Sequence, residues 1–173
     1  MKNKVNQILS LAKAIDNDFR ELSTPADKIK GLESHKIIPF SIVKGSRGYI
    51  ERVVNQINGT FEQGWYDACA VMMRRLLETV IIETYEAHQI EAGIKDSDNN
   101  YFQLSKLISS ILSEKRLNLS RNTKNALPKL KKFGDTSAHN IRFNARFDDI
   151  KTIQLDFRIA IEEFINLAKL ADK

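Results

Sequence analysis

Apolar residues recur along most of this chain at intervals of three or four, and this spacing limits its fold more than any other feature. Such a period places apolar side chains on one face of an α-helix, whereas a half-buried strand needs strict alternation. The chain holds three prolines and seven glycines among its 173 residues, and helix interiors disfavour both residue types. The pattern predicts an all-α helical bundle.

The spacing also predicts where the helices lie. The widest apolar face belongs to the segment from Phe61 to about Ile90, so we expect this helix to be central to the bundle. Gly134 is expected to end a helix as a left-handed cap, and Pro128 to kink that helix or to lie in its first turn. The other predicted helices cover Val5 to Leu22, Thr24 to about Gly31, Tyr49 to about Ile57, Tyr101 to Leu112, Arg121 to Phe133, and a last one from Asp148 or Asp149.

The stretch between residues 33 and 48 is irregular, with a proline and two glycines among its residues. Its short apolar piece, IIPFSIV, is expected to pack onto the body of the protein as a connector. We therefore expect residues 1–45 to form an N-terminal helical extension and connector, and residues 46–173 to form the helical bundle.

Composition excludes several classes of protein. The single cysteine, Cys69, allows no intramolecular disulfide and no cysteine zinc cage. The three histidines have no partner at metal-ligand spacing, so we expect no metal and no cofactor. Lys13 and Asp16 interrupt the first apolar stretch too early for a secretory signal, and no apolar run approaches the ~18 residues of a membrane span. We expect a soluble, cytoplasmic protein without membrane contact.

Positive charge is concentrated in one part of the chain. The net charge of the whole chain is +5, but residues 101–151 contain eleven lysines and arginines against four acids, a net +7, which leaves −2 for the rest. A basic zone on a faintly acidic body attracts phosphate backbones. The alternative is that these bases lie on ordinary solvated helix faces.

The segment from Leu130 to Asn140, LKKFGDTSAHN, carries the densest chemistry. His139 follows lysines across the predicted helix end, and Arg142 and Arg146 come next. Histidine moves protons at neutral pH, and cations stabilise a phosphate that gains charge in a transition state. From spacing alone, the favoured interpretation is a purely structural His139 that forms hydrogen bonds at a helix junction.

The residues that carry this chemistry resemble a known superfamily. The helix text CAVMMRRLLETVI, followed about fifty residues later by LKKFGDTSAH and a long final helix, resembles the HEPN superfamily over about residues 50–170. The similarity is to a bacterial branch of unknown function found in restriction and anti-phage loci. That branch pairs an arginine–two residues–glutamate helix, here Arg75 and Glu78, with a later glycine–asparagine–small residues–histidine motif, here Gly134, Asp135, Ala138 and His139.

The resemblance implies a helical bundle that dimerises and a metal-independent endoribonuclease activity. In that chemistry the ribose 2′-hydroxyl attacks the adjacent phosphate, histidine handles the proton, and a cation meets the developing charge. The implied catalytic residues are His139, Lys132 and Asp135. Lys132 stands where the active relatives carry arginine, and Asp135 where the branch carries asparagine. The implied RNA- and phosphate-binding residues are Lys131, Arg142 and Arg146, and the supporting residues are Arg75, Glu78 and Gly134.

Two functions therefore follow from the sequence. The first is a HEPN-like protein of prokaryotic defence that cleaves RNA with His139 as general acid–base. The second is a non-catalytic HEPN-like module that binds RNA, a nucleotide or a protein partner and mediates dimerisation. The expected partners are a second copy of the chain, RNA, and a defence or antitoxin protein.

Overall fold

The computed structural model describes residues 36–140 and 142–170. The chain divides into two compact units, residues 1–35 and 36–173, and the fold below is that of the second. The helices predicted from Val5 to Leu22 and from Thr24 to about Gly31 lie outside the described residues.

The described residues form five α-helices and no β-strand, which confirms the predicted all-α helical bundle. A single antiparallel bridge joins Lys95 and Tyr101, and two short 3₁₀ turns complete the fold. No helix in this part of the chain is long and apolar enough to cross a membrane. The helices are α1 (Gly48–Glu62), α2 (Tyr66–Ala87), α3 (Leu104–Ser113), α4 (Arg121–His139) and α5 (Phe147–Leu167).

Helix α2 lies at the centre of the bundle, as its wide apolar face predicted. It packs against α1, α3, α4 and α5, and its buried side chains include Leu76, Val80 and Ile81, which are fully removed from solvent. Cys69 belongs to the same core. Burial raises the pKa of its thiol to about 12, so Cys69 stays protonated and unreactive at neutral pH.

The connector ahead of α1 packs onto the bundle, which confirms the expectation for its apolar piece. Ile37, Ile38 and Val43 are fully buried. The side chain of Asn58 holds them in place: its Oδ1 accepts hydrogen bonds from the backbone N–H of Ile37 (2.9 Å) and Ile38 (3.2 Å), and its Nδ2 donates to the carbonyl of Ile38 (2.9 Å). One buried amide therefore supplies three hydrogen bonds to a segment that precedes the first α-helix.

The helix predicted to end at about Ile57 is longer than expected, because α1 continues to Glu62. Asn58 serves as an interior helical residue whose side chain bonds the connector. The chain turns at residues 63–65, where Gly64 adopts a φ of +76°, a conformation that favours glycine. The helix predicted from Phe61 to about Ile90 is thus two elements: Phe61 lies in the last turn of α1, and α2 begins after this turn.

Helix α4 is longer than predicted, and its extension changes the role of Gly134. The helix continues through Gly134 to His139, so Gly134 is an interior residue and not a left-handed cap. Pro128 is also interior. Proline has no N–H to donate to the carbonyl of Lys124, one turn earlier. Because Lys124 lies on an exposed part of the helix, water can donate to that carbonyl instead.

The remaining helix ends differ from prediction by a few residues. Helix α3 begins at Leu104 and not at Tyr101, because Tyr101 pairs with Lys95 across a loop. Helix α5 begins at Phe147, and the carboxylate of Asp149 accepts a hydrogen bond from the backbone N–H of Arg146 at 2.9 Å. This contact fixes the entry of the chain into α5.

Replacement of Asn58 by alanine should destabilise the protein by about 2–4 kcal/mol, since it leaves buried backbone groups of Ile37 and Ile38 without partners. The measurement is the free energy of unfolding in urea. The matched control is Asn55→Ala, an exposed position on the same helix, which should change stability by less than about 0.5 kcal/mol. Equal effects of the two substitutions would contradict this role of Asn58.

Candidate functional site

The residues singled out by the sequence converge on the C-terminal half of α4. Lys132, Asp135 and His139 recur on one face of this helix, because an α-helix makes a turn every 3.6 residues. Lys132 is exposed and Asp135 is half-buried. His139 is the last residue of the helix, and its side chain lies outside what the structure describes.

Asp135 is held by two cations from two helices. Its carboxylate accepts a hydrogen bond from the Arg74 guanidinium of α2 and another from Lys131 Nζ, one turn earlier on α4, at 3.0 Å. Burial alone would raise the pKa of Asp135, but the hydrogen bonds and charges of Lys131 and Arg74 outweigh it and hold the pKa below its usual value. Asp135 is therefore ionised at neutral pH and its charge is compensated.

Arg74 extends this contact into a four-residue ion network. Its Nη2 lies 3.3 Å from Glu78 Oε1, one turn along α2, while its Nη1 binds Asp135. The network contains two cations and two carboxylates, Arg74, Lys131, Glu78 and Asp135, so its formal charge sums to zero. It ties α2 to the part of α4 that ends in His139.

Arg74, and not Arg75, is the arginine that supports the site. Arg75 is exposed and has no ionic partner among the described residues, whereas Glu78 pairs with Arg74. The sequence held a signal for this choice, because Arg74 and Glu78 are four residues apart on a helix, the spacing of a same-face ion pair. The partner across the bundle, Asp135, could not be read from spacing.

Gly134 lets the two helices approach closely enough for these contacts. A Cβ placed on Gly134 would lie 3.3 Å from Cβ and 3.5 Å from Cγ of Arg74. The neighbouring space is a small apolar cavity of about 10 Å³ lined by Arg74, Phe133 and Phe157 among others. Gly134 therefore supports the site by its lack of a side chain rather than by ending the helix.

The predicted phosphate-binding residues differ in whether they have an ionic partner. Lys131 is engaged by Asp135, whereas Arg142 and Arg146 are exposed and have no ionic partner among the described residues. Lys132 is also exposed and unpaired within the same part of the chain. Lys132, Arg142 and Arg146 thus supply free positive charge before and after the end of α4.

A second polar cluster lies between the start of α1 and α2. Glu83 of α2 is buried, accepts a hydrogen bond from the Tyr49 hydroxyl, and lies 3.0 Å from Nε of Arg47. Burial raises the pKa of Glu83, against the lowering effect of Arg47. This cluster fastens α1 to α2, and it includes none of the residues predicted to carry chemistry.

Metal ligation has no candidate in the described part of the chain. No three histidine, cysteine, aspartate or glutamate side chains there are grouped so that they could hold a metal ion. The chemistry available at the end of α4 is that of ammonium, guanidinium and carboxylate groups, together with the imidazole that His139 carries.

Two glycine substitutions test the close approach of α2 and α4. Gly134→Leu should destabilise the protein by at least about 2 kcal/mol, because the new side chain must displace Arg74. Gly59→Ala in α1 is the matched control, since no atom lies within 4 Å of a Cβ at that position. Alanine there should stabilise the protein by up to about 1 kcal/mol through helix propensity. Urea unfolding measures both, and a tolerated Gly134→Leu would contradict the close contact.

Asp135→Asn should lower the stability at neutral pH by about 1 kcal/mol, because Arg74 and Lys131 lose a charged acceptor on a half-buried site. Since the folded-state pKa of Asp135 is lowered, its contribution is full above the usual value near 3.8 and is lost as pH falls through the folded-state pKa. The variant should therefore lose less stability than the wild type on acidification.

The control for this substitution is Asp156→Asn, which removes an exposed ion pair with Lys129 (2.9 Å) and should cost less than about 0.5 kcal/mol. Urea unfolding at pH 7 and at pH 3 measures both variants. Identical pH profiles for wild type and Asp135→Asn would show that the carboxylate is not held as described.

Comparison with known proteins adds a family to this geometry. A family model described as a domain of unknown function, DUF4145, matches residues 55–173, which include the second half of α1 and all of α2 to α5. No curated protein matches the chain, and no solved structure does. The matched range covers the Arg74–Asp135 network, Lys132 and His139. The chain belongs to the DUF4145 family.

Proposed function

We propose that this chain is a HEPN-like, metal-independent endoribonuclease of prokaryotic defence, with His139 as its general acid–base. The observation that carries the proposal is the register of α4, which puts Lys132 and His139 on one helical face at the end of the helix. Free cations, Arg142 and Arg146, follow directly along the chain.

The proposed reaction needs one proton carrier and one positive charge. The ribose 2′-hydroxyl attacks the neighbouring phosphorus and forms a new P–O bond, while the bond from phosphorus to the 5′-oxygen of the next nucleotide breaks. The imidazole of His139 accepts the proton of the 2′-hydroxyl and returns a proton to the departing 5′-oxygen, and the ammonium of Lys132 stabilises the negative charge that develops on the phosphate. The products are a 2′,3′-cyclic phosphate and a 5′-hydroxyl end.

Asp135 has a positioning role in this proposal rather than a catalytic one. Its carboxylate is occupied by Arg74 and Lys131, so it is not free to accept a proton from RNA. Because these cations compensate its charge, Asp135 does not repel an approaching phosphate as a free carboxylate would. The contact instead holds the last turns of α4 against α2.

Single-stranded RNA is the substrate that best fits an exposed site of this kind. Lys132, Arg142 and Arg146 are exposed and unpaired among the described residues, so they can contact successive phosphates. Unpaired strands present their 2′-hydroxyls and bases without the constraint of a helical groove. The attack on phosphorus further requires a ribose that is free to bring its 2′-hydroxyl into line.

His139→Ala should reduce RNA cleavage in the presence of a chelator by about 10²- to 10⁴-fold, because general acid–base catalysis contributes that factor. The measurement is the rate of cleavage of a labelled single-stranded RNA in EDTA. His88→Ala is the matched control: His88 is exposed at the C-terminal end of α2, and its loss should leave the rate unchanged. Undiminished cleavage by His139→Ala would contradict the proposal.

A non-catalytic RNA-binding module is the second candidate function. The observation that favours it is that Asp135 and Lys131 are engaged in structural contacts. Lys132 then remains, and a lysine is a point charge that lacks the bidentate grip of arginine on a phosphate. This alternative predicts salt-dependent binding of single-stranded RNA and no cyclic-phosphate product from the wild-type protein in the same assay.

A further inference from the structure

Two large aromatic side chains are exposed, one at the start of α2 and one at the start of α5. Trp65, in the turn between α1 and α2, is 64% exposed, and Phe147, the first residue of α5, is 41% exposed. Large aromatic side chains usually bury most of their surface. We propose that Trp65 and Phe147 form a base-stacking site for single-stranded nucleic acid, a subsite that rests on the proposed RNA-directed function.

The exposure of Trp65 is built into a fixed turn. The backbone N–H groups of Gln63, Gly64 and Trp65 donate to carbonyls of Gly59, Phe61 and Thr60, at 3.0, 3.0 and 2.8 Å. The turn is thus bonded to the last residues of α1, and α2 begins at the next residue. The indole projects from an anchored backbone and not from a loose loop, which favours a preformed binding surface.

Phe147 is equally well supported on one side and open on the other. Its ring stacks on Phe61, with centroids 5.3 Å apart and planes 30° from parallel, and it meets the edge of Tyr66 at 6.2 Å. Phe61 is buried. The buried aromatic rings therefore hold Phe147 as a platform whose remaining surface faces solvent, the arrangement on which bases stack in single-strand-binding proteins.

The two exposed rings lie at the same end of the bundle. The backbone N–H of Ala145 donates to Asp67 Oδ1 at 2.8 Å, which fastens the residues before Phe147 to the first turn of α2, two residues after Trp65. Tyr66, between Trp65 and Asp67, contacts the ring of Phe147 directly. Trp65 thus directly precedes the two residues of α2 that contact Phe147 and the segment before it.

Both cations and carboxylates lie near these rings, and two of the carboxylates are engaged by backbone N–H groups. Arg146 precedes Phe147 and is exposed, and Nζ of Lys151 lies 6.0 Å from the Phe147 ring centroid. Asp67 and Asp149 accept hydrogen bonds from the backbone N–H groups of Ala145 and Arg146. Asp148 and Glu62 are exposed carboxylates in the same region, so phosphate contacts are expected on the Arg146 side.

One short segment of the chain joins the platform to the proposed cleavage site. In this segment Phe143 packs edge-on against Phe133 of α4 at 6.4 Å, and Ala145 bonds Asp67 of α2. Seven residues lie between His139 and Phe147, so their Cα atoms are at most about 28 Å apart. An RNA strand that contacts Arg142 and Arg146 therefore passes from the end of α4 to the aromatic platform.

A base is favoured over a protein side chain as the occupant because of the residues that lead to Phe147. Trp and Arg are also common at protein interfaces, but here the exposed and unpaired cations Arg142 and Arg146 lie in the chain between the end of α4 and Phe147. Stacking is tolerant of base identity. We therefore expect the platform to fix one or two unpaired bases without strong sequence preference.

Trp65 is the single tryptophan of the chain, so its fluorescence reports on this site alone. The experiment titrates the full chain with a 2′-O-methyl oligouridylate and oligoadenylate, which cannot be cleaved through a 2′-hydroxyl, and separately with inorganic polyphosphate. Quenching of Trp65 by the oligonucleotides and not by polyphosphate is expected. Equal responses to both would mean that only charge is sensed, and would overturn the inference.

Variants extend the test through the anisotropy of a labelled oligonucleotide. Trp65→Ala and Phe147→Ala should each weaken binding about 5- to 150-fold, the range that base–aromatic stacking supplies. Trp65→Phe keeps a ring and should retain most of the affinity. Leu155→Ala is the matched control, because Leu155 is an exposed apolar residue on the same helix as Phe147, and its loss should leave binding unchanged.

The outcomes separate this inference from the proposed function. If the oligonucleotide binds but Trp65 fluorescence and the Trp65→Ala affinity do not change, the stacking site is wrong while RNA binding stands. If no oligonucleotide binds at all, the proposed function fails together with the stacking site. If Trp65→Ala alters only the sedimentation behaviour of the protein, the patch is a self-association surface and the inference is overturned.

Discussion

The contact between Arg74 and Asp135 is the interaction on which the arrangement of the site depends. Gly134 favours it, because a Cβ at this position would lie only 3.3 Å from Cβ of Arg74 where α4 passes α2. Arg74 is held in turn by Glu78, and Asp135 by Lys131. Removal of one charge from this half-buried network costs more than the loss of an exposed ion pair. The network therefore fixes the position of the last turns of α4 relative to the central helix.

Ion pairing also decides where the charge of the basic zone remains available. Arg116, Lys129 and Lys131 are paired with Glu114, Asp156 and Asp135. Their charge is largely neutralised at short range. Lys132, Arg142 and Arg146 have no ionic partner among the described residues, and they lie on or after the last turns of α4. Lys115, Arg121 and Lys124 are also exposed without an ionic partner in this part of the chain, so the free charge of residues 101–151 includes the cations around the end of α4 but is not confined to them.

The sequence predicted the fold better than it predicted the contacts of the site. The three-to-four apolar period identified the helices and the central place of α2, because burial of a wide apolar face determines both. It failed where tertiary contacts override local signals. Asn58 and Gly134 resemble helix ends in sequence, but Asn58 bonds the connector and Gly134 admits Arg74. The pairing of Arg74 with Asp135 spans 61 residues, and exposed rings at Trp65 and Phe147 leave no periodic signal.

The chemistry of the cleaved RNA ends tests the central claim most directly. The substrate is a single-stranded RNA incubated with the protein in EDTA, beside a copy with a single 2′-deoxyribose at the preferred cleavage position, and mass spectrometry identifies the ends. Attack by the ribose hydroxyl with proton transfer by His139 predicts a 2′,3′-cyclic phosphate, a 5′-hydroxyl and no cleavage at the deoxy position. Ends with a 5′-phosphate and a 3′-hydroxyl, or cleavage at the deoxy position, would contradict the account.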